Sequence, residues 1–130
     1  MSIERRRLRV YVAGPISSDP FEGVHRGMAA GKRMFLDGLA PYVPHWDAFL
    51  FLPEGNWNAY LEWDLEYVAL MEAMWRLRGE SVGADLECER ARALGIPVFY
   101  EDDNGDLDEY EDLLDFAAMQ DLRGKQVARA

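Results

Sequence analysis

Residues 73–100, AMWRLRGESVGADLECERARALGIPVFY, carry two short apolar runs separated by a segment with helical periodicity. Ala73 to Leu77 reads as a strand, and Arg78-Gly79-Glu80-Ser81 as the loop after it. A helix follows from about Gly83 to Leu94 and stops at Gly95, and Ile96 to Tyr100 is the next strand. A strand, a helix and a strand within this length predict a parallel crossover unit. Working outward, the same alternation recurs. Leu8 to Ala13 is a buried first strand ending in Gly14-Pro15, and Phe21 to Asp37 is a helix with Val24, Met28 and Phe35 at helical spacing. Gly27 and Gly31 lie on a neighbouring line that allows close packing, and Gly38 is the stop. Leu39 to Val43 is a second strand broken by Pro44, and an aromatic loop runs from His45 to Gly55. Asn56 or Asn58 caps a helix to about Glu72, and a last helix spans about Leu107 to Leu122. The expected fold is α/β: a Rossmann-like (flavodoxin-like) parallel sheet of four to five strands, with helices on both faces. Residues 1–130 are expected to form a single domain, with an acidic C-terminal helix and tail from about 101. In such sheets ligands bind beyond the carboxyl ends of the strands, so the loops at 14–19, 44–56 and 78–83 would share one rim.

Within the quoted segment, Ala84, Glu87, Cys88, Ala91 and Leu94 fall on one helical face, while Asp85, Glu89, Arg90 and Arg92 fall elsewhere. Glu87 therefore stands on a small, apolar, core-facing stripe. An acid in a first turn offsets the helix dipole, but Asp85 or Glu89 would do that from outside. The preceding helix repeats the anomaly: Trp57, Leu61, Asp64, Val68 and Met71 mark one face, and Asp64 interrupts it. Taken alone, each acid has a bland explanation. Two inward acids beside one rim match paired carboxylates that divide nucleophile and proton-donor work. The Gly79 to Gly83 loop precedes a helix N-terminus, where free N–H groups favour an anion, and Ser81 either caps that helix or adds a hydroxyl donor.

Composition bounds the remaining possibilities. The 130 residues carry 24 acids against 14 Lys and Arg, a net charge of -10. Such a surface repels a polyphosphate, so no nucleic acid polymer is expected as a partner. No apolar run approaches the roughly 20 residues that cross a bilayer, so neither a membrane nor a signal peptide is expected, and cytoplasm is the expected location. Cys88 is the sole cysteine, which excludes an intrachain disulfide. The acid cluster at 101–115 lacks calcium-loop spacing and reads as a solvated face, so no metal is expected.

Together these pieces resemble the nucleoside 2-deoxyribosyltransferase-like superfamily. Val10-Tyr11-Val12-Ala13-Gly14-Pro15-Ile16-Ser17 looks like its first strand and glycine turn. Ser81-Val82-Gly83-Ala84-Asp85-Leu86-Glu87, followed by Ala91 and Gly95-Ile96-Pro97-Val98, looks like its nucleophile segment. Pro44-His45 and Trp63-Asp64 sit where small bacterial and phage relatives carry similar residues, and the likeness spans roughly residues 8–100. The resemblance implies that Glu87 attacks the anomeric carbon, that Asp64 protonates or positions the departing base, and that Tyr11 hydrogen-bonds Glu87. Strand composition alone reads Tyr11 as a core residue. The resemblance also implies that no metal or organic cofactor is needed. Transferases of this type carry an acid six residues before the nucleophile and 5′-monophosphate hydrolases a serine; Ser81 stands there. Gly14, Pro15, Ser17, His45, Trp46, Ser81 and Gly83 are the expected substrate-binding residues, with Trp46 or Trp57 stacking on a base.

The expected function is hydrolysis of the N-glycosidic bond of a (deoxy)nucleoside 5′-monophosphate, with base exchange between nucleosides as the alternative. A nucleotide-binding sensor without catalysis is a reading of another class, and an assembly protein using the aromatic loop is a third. The expected partner is a small nucleoside or nucleotide, with a homodimer or higher homo-oligomer as the assembly.

Overall fold

The structure is a computed structural model and describes residues 6–16, 20–46 and 57–120. Strands and helices alternate as β1 (Arg9–Ala13), α1 (Pro20–Leu36), β2 (Ala40–Tyr42), α2 (Trp57–Val68), β3 (Ala73–Arg76), α3 (Val82–Ala93), β4 (Val98–Tyr100) and α4 (Asp108–Met119). The four strands form one sheet in the order β2-β1-β3-β4, every pair parallel. The expected α/β Rossmann-like architecture is present.

Period-two alternation divides the core. Val10, Val12, Trp75 and Leu77 face one way and pack with Met34 of α1 and Tyr110 and Leu113 of α4. Tyr11, Ala13 and Met74 face the other way, towards Val68 of α2 and Ala84, Cys88 and Ala91 of α3. Central β1 and β3 are buried on both faces, as helices on either side require. The chain leaves β1 for β2 on one side and returns to β3 on the other. That reversal makes the carboxyl ends of β1 and β3 a topological switch point, the place where sheets of this kind bind ligands.

Two helices end where glycine permits a left-handed backbone, Gly38 at φ 89° and Gly95 at φ 75°. In each the next residue reaches back, Leu39 N to Met34 O at 2.9 Å and Ile96 N to Ala91 O at 2.8 Å, closing the exposed carbonyls. The helix containing Asp64 is shorter than expected, ending at Val68 instead of Glu72. Glu72 has already joined the sheet: its N–H donates to Arg9 O at 2.9 Å, and its carboxylate takes a two-pronged bond from Arg6 at 2.5 and 2.6 Å. Leu94, expected on the inward stripe of α3, is 43% exposed, because the helix closes there and the stripe stops at Ala91.

A third correction concerns α1. Met28 and Phe35 face outward, the latter 58% exposed, and the buried line is Gly23, Gly27, Gly31 and Met34. The reason is distance. A Cβ at Gly27 would lie 2.6 Å from the His45 ring, at Gly31 2.7 Å from Val43 Cγ2, and at Gly23 2.7 Å from Pro15 O. The glycines are the contact line itself, and they bring α1 down onto the loops at the sheet's carboxyl end.

Candidate active site

Helix α3 starts at the rim because Ser81 caps it: the backbone is extended there and the hydroxyl accepts from Ala84 N at 3.1 Å. From that start the inward line is Ala84, Glu87, Cys88 and Ala91, all buried. Glu87 is 6% exposed. It meets Tyr11, whose hydroxyl donates a short hydrogen bond to Glu87 Oε2. A buried carboxylate is costly unless hydrogen bonds replace its lost water, and the phenol of a fully buried strand residue supplies one.

The Tyr11 hydroxyl is held far above its ordinary pKa, first by burial, then by the charges of Glu87 and Asp64. It therefore keeps its proton and remains a donor at any physiological pH. The same effect puts the Asp64 carboxylate, half-buried on α2, within electrostatic reach of that hydroxyl. Glu87 and Tyr11 thus meet on the face of the sheet covered by α2 and α3, with Asp64 of α2 on that same face.

Tyr42 and Tyr67 extend this cluster and were not singled out in the sequence. Tyr42 pairs in register with Tyr11 across β1 and β2, and their rings stack at 5.6 Å. Tyr67, one helical turn beyond Asp64, stacks on Tyr42 at 4.7 Å and 9°. The i, i+3 spacing of Asp64 and Tyr67 was the available signal.

Arg76 was also missed. It is buried at the end of β3 and donates to Leu77 O, to Gly79 O at 2.9 Å and to Asp85 Oδ1 at 3.1 Å. From the opposite sheet face Arg26 Nη2 donates to Arg78 O at 3.0 Å. Two guanidinium groups therefore fix the loop that leads into α3, and with it the position of Glu87.

The other expected residues are distributed around the rim. Pro15 sits against Gly79, so the loops after β1 and β3 touch. Gly14 lies under Leu77, where a Cβ would come within 2.9 Å. Gly83 is half-buried in the first turn of α3, and Ser17 lies outside the described residues. His45 is 2% exposed, its ring against Gly27 of α1, and it forms packing instead of an open face for a base. Burial, with the charge of Arg26, lowers its pKa to about 4, so it is neutral at pH 7. Trp46 meets Trp63, the neighbour of Asp64, edge-on at 5.7 Å; the side chain of Trp57 lies outside the described residues.

Cys88 is no nucleophile. Burial pushes its thiol up to about 11 despite the nearby Arg76 and Arg92, and its sulfur contacts Met74 Sδ at 3.4 Å. Among the described residues no group of three or more His, Cys, Asp or Glu is arranged to hold a metal ion. No described helix is long and apolar enough to cross a membrane. Chemically, the site offers a buried carboxylate oriented by a protonated phenol, with a second carboxylate close by.

No curated protein matches the sequence. Among solved structures, the 2-deoxyribosyltransferase of the psychrotolerant bacterium Bacillus psychrosaccharolyticus superposes with a TM-score of 0.54 at 17% identity, over 71% of this chain and 70% of that one. That likeness is one of fold, and it is the fold implied by the resemblance in the sequence. Matching over residues 8–100, the chain belongs to the family described as Domain of unknown function (DUF4406).

Proposed function

We propose that this chain is an enzyme that cleaves the N-glycosidic bond of a (deoxy)nucleoside 5′-monophosphate, with Glu87 as nucleophile. The observation that carries this reading is the buried Glu87 carboxylate bonded to the Tyr11 hydroxyl at the switch point of a parallel sheet. A carboxylate that only balanced a helix dipole would not need that position.

In the first step a Glu87 oxygen attacks C1′ and the C1′–N bond breaks, its electron pair leaving with the base. Asp64 delivers or positions the proton that the base nitrogen takes up. The transition state carries positive charge on the sugar, which the adjacent carboxylates stabilise. Tyr11 keeps its proton throughout and holds one Glu87 oxygen, aiming the other at the sugar. In the second step water attacks C1′ and gives a proton to Asp64, while the bond from C1′ to the Glu87 oxygen breaks and frees the sugar phosphate.

Ser81 supports the preference for a monophosphate. Its oxygen accepts the capping bond from Ala84, which leaves the hydroxyl proton for a phosphate oxygen, beside N–H groups at the start of α3. No metal or cofactor enters this chemistry. Base exchange is the second reading, favoured by the likeness to a 2-deoxyribosyltransferase; there an acceptor base takes the place of water. A single domain, a homodimer and a cytoplasmic location remain parts of the proposal.

The test is a chromatographic screen of common nucleosides and their 5′-monophosphates for free base, with and without an acceptor base. Faster release from the monophosphates, unchanged by acceptor, is expected. Faster release from free deoxynucleosides would overturn the phosphate preference, and exchange without net hydrolysis would replace the hydrolase with a transferase.

A further inference from the structure

Across the sheet from Glu87, a cleft of about 330 Å³ opens between α1 and the segment from β4 into α4. Ala29 and Ala30 are too small to fill it. Its floor is apolar and rigid: Trp75 meets Tyr110 edge-on at 5.4 Å, and the Tyr110 hydroxyl is anchored to Asp37 at 2.7 Å. Its walls carry Arg26, Arg33 and Arg78 against Glu22 and Glu101, in a chain of net charge -10.

Arg26 is committed to Glu101 at 3.0 Å. The other two arginines are not. Arg33 lies 5.8 Å over the Tyr110 ring, and Arg78 packs over Gly105 with only a 3.5 Å contact to Asp103 O. Neither guanidinium is in an ion pair among the described residues, although the Arg78 backbone N–H donates to Glu101 Oε1 at 3.0 Å. Two guanidinium forks lining one cleft, Arg33 on α1 and Arg78 over Gly105, suit a tetrahedral dianion, which has acceptors for both; a carboxylate satisfies one. The apolar floor between them suits a flat, uncharged body, and the volume is at the small end of ligand sites.

We propose that this cleft is a second binding site, separate from Glu87, for a small phosphate monoester with a flat apolar body. The phosphate meets Arg33 and Arg78, and the body lies along the partly exposed Ala30 and Leu107.

The test is a titration of the full ¹⁵N-labelled chain with 2′-deoxyadenosine 5′-monophosphate, followed by amide and indole shifts. Saturable shifts at Ala29, Ala30, Gly105 and the Trp75 indole are expected in Glu87→Gln, which does not turn the nucleotide over, and in the wild type in spectra taken before base release. In Arg33→Gln/Arg78→Gln, both positions exposed and the fold checked in the same spectra, the affinity read there should fall about tenfold or more. Inorganic phosphate should bind at least about tenfold more weakly than the nucleotide, lacking the body. Absent shifts in the wild type, unchanged affinity in the double variant, or equal binding of inorganic phosphate would overturn the proposal. Shifts confined to the α3 side would sink the cleft and leave the proposed function standing; cleft shifts without base release from any substrate would do the reverse.

Discussion

Alanine would be the cheaper residue at position 87, since its inward neighbours Ala84 and Ala91 show what the packing accepts. A carboxylate there is tolerated because Tyr11 answers it. Replacing Tyr11 by Phe keeps the ring stack and removes the donor. The buried acid then loses a partner, and stability should fall by about 1–3 kcal/mol in thermal or denaturant unfolding. Under the proposed chemistry kcat should also fall, on the order of 10–100-fold, because Glu87 is no longer held in line. An unchanged rate would show that the phenol serves packing only. Cys88 gives a contrasting expectation: with its thiol near 11 and its surroundings closed, alkylation at pH 8 should be slow in the native protein and fast after unfolding. Glu87 was legible in the sequence because helical phase alone sets it among small residues. Tyr42 and Arg76 were not, since their contacts depend on strand register and on a loop's path.

At the scale of elements, α1 teaches the clearest lesson. Apolar periodicity pointed to Val24, Met28 and Phe35, yet the line that touches the protein is made of glycines, which carry no hydropathy signal. Close approach, not burial of large side chains, decides this interface. Gly27→Ala should therefore destabilise the chain by about 1–3 kcal/mol through collision with the His45 ring, although alanine is the better helix former. A neutral or stabilising result in urea unfolding would contradict that packing. Helix α3 separates two roles of one hydroxyl. Ser81→Ala should cost about 1 kcal/mol for the lost cap. If Ser81 also meets a phosphate, the same change raises KM for a monophosphate more than for the free nucleoside. The order of strands and helices was legible throughout, because strand and helix periods differ and glycines mark the stops. The ends of α2 and α3 were not, because Glu72 and Leu94 are fixed by contacts distant in sequence or by closure of the helix.

For the whole molecule, two groups tie stability to acid in successive windows. His45 is held near 4 when folded, below its ordinary 6.5, so the unfolded chain binds the proton more readily between these values. Stability should decline as pH falls from about 6.5 to about 4, and His45→Asn should flatten that decline. Burial alone would raise Glu72, but the bonds from Arg6 and Arg9 bring it down to about 2 from 4.5. Its contribution is present above about 4.5 and is lost as pH falls towards 2, and Glu72→Gln should remove that later phase. Denaturant midpoints taken at intervals from pH 7 to pH 2 read both.

The most direct measurement concerns Glu87 itself. Base release from a deoxynucleoside 5′-monophosphate is compared between wild type and Glu87→Gln, with mass spectrometry of the digested protein after rapid acid quenching. Release should fall on the order of 10³-fold or more in the variant, and a sugar-phosphate adduct on the Glu87 peptide should form only in the wild type. Wild-type release from a correctly folded Glu87→Gln protein would contradict the assignment of Glu87 as nucleophile.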